Sequence, residues 1–222
     1  MGLNTKTESD TKIVMIKHKS LCLESKEPKD GYVETQVEIP NTDDGHGNPE
    51  TMIKYIKSFK SLDGYVKELE WYNTEEKHSR PYLGVKIHME DDGEQFILDI
   101  PYDRQYFNTF CKIAENIDFT ERVEFYASPD KDGKGTRFGA SQNGVGVKYR
   151  YTKENPGQMP LGKQNKTTKK WDFSAQNEWL LNNLIENVIP AVNAQLGVAE
   201  KTVAAAAGAG DRWADVGDPI HN

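Results

Sequence analysis

Residues 82–90 alternate two kinds of side chain. Leu83, Val85, Ile87 and Met89 fall on one side of an extended chain, and Tyr82, Lys86 and His88 on the other. An aromatic ring, an ammonium group and an imidazole on one strand face suit the stacking of a base beside a phosphate. Over residues 147–151 the same rule sets Lys148 and Arg150 against Tyr149 and Tyr151. Trp71, Tyr72, Arg137, Phe138 and Lys153, near strand ends and loops, complete the candidate set. Stacking contributes about 1–3 kcal/mol per base, and each neutralised phosphate adds a salt slope of about −0.7 for single strands. The competing reading makes the tyrosines part of a sheet wall and the charges ordinary solvated positions.

Other chemistries find less support. Asp130-Lys-Asp132-Gly133 resembles the opening of a calcium loop, but the twelfth position falls at Ser141 instead of a bidentate glutamate. A hairpin turn accounts for it better. Asp43, Asp44 and His46 share a Gly/Pro-rich loop with no second ligand cluster at suitable spacing. His18, His46, His78, His88 and His221 are scattered, with no Ser or Cys partner in a nucleophile context. Residues 139–146 lack the phosphate-loop lysine pattern. The expectation is a non-enzymatic protein without cofactor or metal.

The chain has 222 residues and a formal charge of −7, which excludes a globally basic nucleic-acid coat. A local basic surface survives that test: residues 148–170 hold seven Lys or Arg against the single acid Glu154. Hydrophobic content is 36% and mean hydropathy −0.76, so part of the chain reads as solvated tail. Cys22 and Cys111 lie far apart and read as small buried apolar groups, a disulfide being the alternative. No window approaches the ~18 apolar residues of a membrane span. Residues 1–12 lack an apolar signal core, so the expected location is cytoplasmic, in the host if the chain is phage-encoded.

These side chains need elements to hold them. Residues 1–12 read as disordered, and 13–50 as a β extension and connector, with strands over 13–23 and 32–39. A main domain over 51–155 follows. Residues 52–60 and 65–72 read as strands, or one long bent strand broken at Asp63-Gly64, and 82–90 with 95–100 form a hairpin about Asp91-Asp92-Gly93. Tyr106, Phe110, Ile113 and Ile117 then recur at helical spacing, with Asp103 as a plausible N-cap. Strand period returns over 122–127, 136–140 and 146–151. The order β-β-β-α-β-β predicts a mainly β, five-stranded OB-type barrel with the helix over one open end. A basic linker and C-terminal helix occupy 156–198, capped by Ser174 and kinked by Pro190, and a flexible, mildly acidic tail occupies 199–222.

Four stretches carry a resemblance: Tyr65-Val-Lys-Glu-Leu-Glu-Trp-Tyr72, Met89-Glu-Asp-Asp-Gly-Glu-Gln-Phe-Ile-Leu-Asp-Ile-Pro-Tyr102, Asn116-Ile-Asp-Phe119 and Gln142-Asn-Gly144. In these the chain resembles the small OB-fold single-stranded DNA-binding proteins of bacteriophages and mobile elements. The resemblance implies sequence-tolerant binding that protects replication and recombination intermediates. It also implies recruitment of replication or recombination proteins through the C-terminal tail, although this tail carries few acids and ends Ile220-His221-Asn222. Monomer and homodimer both remain open. The alternative function is a protein-interaction or virion structural module on an OB-like barrel.

Overall fold

The computed structural model describes residues 11–17, 19–39, 50–74, 82–102 and 104–198. The expected disordered start, the 40–49 connector, the Asp103 cap and the 199–222 tail lie outside these, Thr11 and Lys12 apart.

The described residues form a large sheet with helices packed against it. Its strands are β1 (Lys12–Lys17), β2 (Ser20–Ser25), β3 (Val33–Ile39), β4 (Glu50–Phe59), β5 (Ser61–Thr74), β6 (Tyr82–Asp91), β7 (Glu94–Pro101), β8 (Arg122–Pro129), β9 (Thr136–Gln142) and β10 (Val145–Gly146). The order is β10-β9-β8-β5-β6-β7-β1-β2-β4-β3, and the two end strands do not pair with each other. The sheet curls far enough for β2 to pack against β8 and β5, without a closed barrel.

Two pairings set the order of the sheet. The first strand after the helix, β8, pairs with the first residues of β5, Ser61 opposite Tyr126 and Tyr65 opposite Arg122. The place beside β7 belongs to β1, which pairs with it in parallel, Lys12 opposite Phe96 and Met15 opposite Asp99. Residues 13–25 are therefore central strands. The physical reason is burial: Val14, Leu21 and Cys22 are fully enclosed, and Val14 lies opposite the buried Leu98.

The long bent strand is present as β4 and β5 with Lys60 between them, and a bulge shifts the register between Val66 and Glu68. Gly64 lies where β6 crosses closest, since a Cβ there would sit 2.7 Å from the Glu90 carbonyl oxygen.

Helix α1 (Gln105–Ile113) buries Phe107, Phe110, Cys111 and Ile113 against the sheet, starting from an extended Arg104 without a side-chain cap. At the C-terminal end, α2 (Ser174–Asn183) and α3 (Ile189–Gln195) are joined by a π-helical turn, Leu184–Val188. That turn is the expected disturbance around Pro190, which has no N–H to give the preceding turn. The expected Ser174 cap is replaced: Asp172 Oδ1 accepts the Ser174 N–H at 2.9 Å.

Beyond the bulge, the edge of β5 that faces away from β6 has lost β8, and a side chain takes its place. Asn193 of α3 accepts the Leu69 N–H through Oδ1 (2.9 Å) and donates through Nδ2 to the Leu69 carbonyl (2.8 Å). Asn193→Ala is expected to lower stability by roughly 1–3 kcal/mol, because Leu69 is buried and keeps unpaired amide groups. A denaturant titration reads this directly, and a loss under ~0.5 kcal/mol would contradict it.

Candidate nucleic-acid interface

Nine of the ten sequence-expected residues fall into three environments, and Arg137 lies exposed on β9. The first is the outer face of β5–β7. Tyr72 lies opposite Gly84, Glu70 opposite Lys86, and Glu68 opposite His88. Lys86 Nζ stands 5.0 Å from the Tyr72 ring centre, and the Tyr72 hydroxyl donates to Asp99 Oδ1 at 2.8 Å. His88 Nε2 meets Glu70 Oε2 at 2.9 Å. Burial raises the Asp99 carboxyl above its ordinary range, opposed by the Tyr72 hydrogen bond and by Lys86. Lys86 and His88 thus each face a carboxylate, and Tyr72 is held by its own partners. Tyr82, at the start of β6, remains exposed.

The second environment is the core, and two candidates enter it. Trp71 packs edge-on against Tyr102 and Phe107, each 6.2 Å away, and its Nε1 is buried without a hydrogen-bond partner among the described residues. Phe138 is 5% exposed and stacked on Phe125 at 6.0 Å. Strand alternation explains it: Phe138 shares the inner face of β9 with Ala140, and Arg137 points to solvent.

The third is the segment after β10. The expected strand over 146–151 ends at Gly146, because the Arg150 N–H donates to the Lys112 carbonyl at 2.6 Å and draws the chain onto the end of α1. Asn116 Nδ2 holds the Lys148 carbonyl at 3.0 Å. Tyr151 packs edge-on to Trp179 at 4.9 Å. Its hydroxyl donates to Glu115, and burial with that carboxylate pushes it up to about 12. The alternation expected for 147–151 is therefore lost, yet Lys148, Tyr149, Arg150 and Lys153 are all exposed. Of these, Arg150 pairs with an acid, Glu115 at 3.7 Å.

This segment leads to a feature the sequence reading passed over. β11 (Lys163–Gln164) and β12 (Trp171–Asp172) form a separate hairpin, with Gln164 opposite Trp171. Asn165 builds its loop: Oδ1 accepts the N–H groups of Thr167 and Thr168 at 2.9 Å, and its backbone pairs with Lys170 and Lys169. Residues 163–173 are exposed throughout, including Lys163, Lys166, Lys169 and Lys170.

Trp171 is 52% and Phe173 46% exposed, their rings stacked 6.0 Å apart and 16° from parallel. Phe173 also packs against Gly162, where a Cβ would clash with its ring. The base of the hairpin is fixed by Met159, buried in the core, and by Gln176 Nε2 on the Pro160 carbonyl at 3.1 Å. The available signal was an aromatic pair at i and i+2 directly after Lys169-Lys170.

Among the described residues, no group of three or more His, Cys, Asp or Glu side chains could hold a metal ion. Asp130 spends both carboxylate oxygens on the N–H groups of Lys134 and Gly135, closing the β8–β9 turn. No helix among the described residues is long and apolar enough to cross a membrane. No protein-family model, curated protein or solved structure matches the chain.

Proposed function

We propose that this chain binds single-stranded DNA without sequence preference and protects replication or recombination intermediates, as a non-enzymatic protein of the OB type found in phages and mobile elements. One observation carries the reading: a solvent-exposed stacked Trp171–Phe173 pair on a hairpin with four lysines. Large aromatic rings are rarely left in water side by side, and these have lysines within a few residues for a phosphate backbone. Lys148, Arg150 and Lys153 extend the basic segment, and Tyr149 offers a further ring. The acidic remainder of the chain limits nonspecific attachment.

The strand pairing supports the OB-type part of the proposal in a permuted form. Starting from β5, ladders lead through β6, β7, β1 and β2 to β4, and β4 continues into β5 through Lys60. This six-strand path is joined end to end by the chain at Lys60 and not by a β4–β5 ladder, and β8–β10 lie outside it.

Titration of oligo-dT against tryptophan fluorescence tests the proposal, with Trp171 as an exposed reporter. Four to six phosphate contacts at a slope of about −0.7 each give a log–log salt slope of roughly −3 to −4. Quenching that is absent, or insensitive to salt, would overturn it.

A further inference from the structure

β3 ends the sheet, and its outer edge pairs with no strand among the described residues. Its neighbour β4 is held by β2 only over residues 55–59, so residues 35–39 and 50–54 form a two-stranded ribbon beyond the rest of the sheet. Two strands alone are marginal in water. This ribbon carries exposed apolar residues on both faces among polar ones: Val37 lies opposite Met52 on one, and Ile53 opposite Gln36 on the other, with Met52 42% and Ile53 49% exposed. Val33, on the edge strand itself, is 68% exposed. Residues 33–37 hold no lysine, proline or bulge, and Glu34 is their one charged residue.

We propose that the β3 edge pairs with the same edge of a second copy of this chain, antiparallel about a two-fold axis at Thr35. The register follows from the side chains. An axis at Gln36 would set Glu34 against Glu38 twice, and one at Glu34 would set that residue against itself; like charges directly opposite repel. An axis at Thr35 sets Val33 against Val37, Thr35 against Thr35 and Glu34 against Gln36. An axis at Val37 also spares the carboxylates but leaves Val33 in water. The Thr35 register alone covers the most exposed apolar residue of the strand with a β-branched neighbour, and it closes on itself as a two-fold pair.

Sedimentation of the full chain, with and without Thr35→Glu, tests this. Within its own ribbon a glutamate at 35 faces Lys54 and keeps the β3–β4 pairing, while at the axis it meets its own copy. The wild-type chain is expected at twice its 25.1 kDa mass, and the variant dimer to dissociate at least tenfold more readily with an unchanged circular dichroism spectrum. Thr35→Cys is expected to form a disulfide-linked dimer on mild oxidation, and Val33→Cys is not. A wild-type monomer at tens of micromolar, a dimer indifferent to Thr35→Glu, or cross-linking through Val37→Cys in place of Thr35→Cys would overturn the proposal.

Discussion

Trp171→Ala is expected to weaken single-stranded DNA binding by roughly 5- to 150-fold, the equivalent of about 1–3 kcal/mol for one lost stacked base. The fold should be unaffected. Half of the side chain is already in water, and its ring touches Phe173 without entering the core. Trp171→Phe should recover most of the loss, because every base offers a π-face to any aromatic ring. Phe173→Ala on the same background should weaken binding further, although stacked rings share a base and the two losses will not simply add. Phe138→Ala is the instructive control. Phe138, a stacking candidate by sequence, lies against Phe125 in the core, so its removal should cost about 3–5 kcal/mol of stability. Filter binding together with thermal melts separates the two outcomes. A Trp171→Ala protein with wild-type affinity would exclude the hairpin as the stacking site.

Leu21→Ala is expected to cost roughly 2–5 kcal/mol, a large share of the 5–15 kcal/mol typical of a domain. Leu21 is fully buried on β2, opposite Ile16 of β1 and Phe59 of β4. If residues 13–50 were an extension laid on a finished barrel, the same substitution would loosen only that hairpin. Val145→Ala, at an exposed position of β10, should stay within about 0.5 kcal/mol. Chemical denaturation followed by tryptophan emission distinguishes these cases. A Leu21→Ala protein that melts in two steps, with the second at the wild-type midpoint, would contradict the central placement of β1 and β2.

Local pattern made most elements legible. The alternation of Leu83, Val85, Ile87 and Met89 gave β6, the Asp92-Gly93 turn gave its hairpin with β7, and the helical recurrence of Phe110 and Ile113 gave α1. Partner choice was not legible, because period-two alternation says that Ile13–Met15 forms a strand but not which strand it joins. The parallel β1–β7 ladder joins residues more than eighty positions apart, and only the shape of the shared core selects it.

The candidate site was half visible for the same reason. The lysine excess through residue 170 is a property of composition and could be counted. Tyr72, Lys86 and His88 looked available because their carboxylate partners, Asp99 and Glu70, lie on neighbouring strands whose register the sequence does not state. Trp171 and Phe173 went unnoticed because they stand at the border between the basic run and α2, in a strand of two residues that no periodicity reveals.

The most direct test of the central claim is photo-cross-linking of the full chain to an iodouracil-substituted oligo-dT, followed by identification of the linked peptide. The hairpin account predicts cross-links concentrated at Trp171 and Phe173, lost in high salt and reduced in the Trp171→Ala protein. Cross-links confined to Tyr72 and Tyr82 on the β5–β6 face, or none above background at low salt, would contradict it.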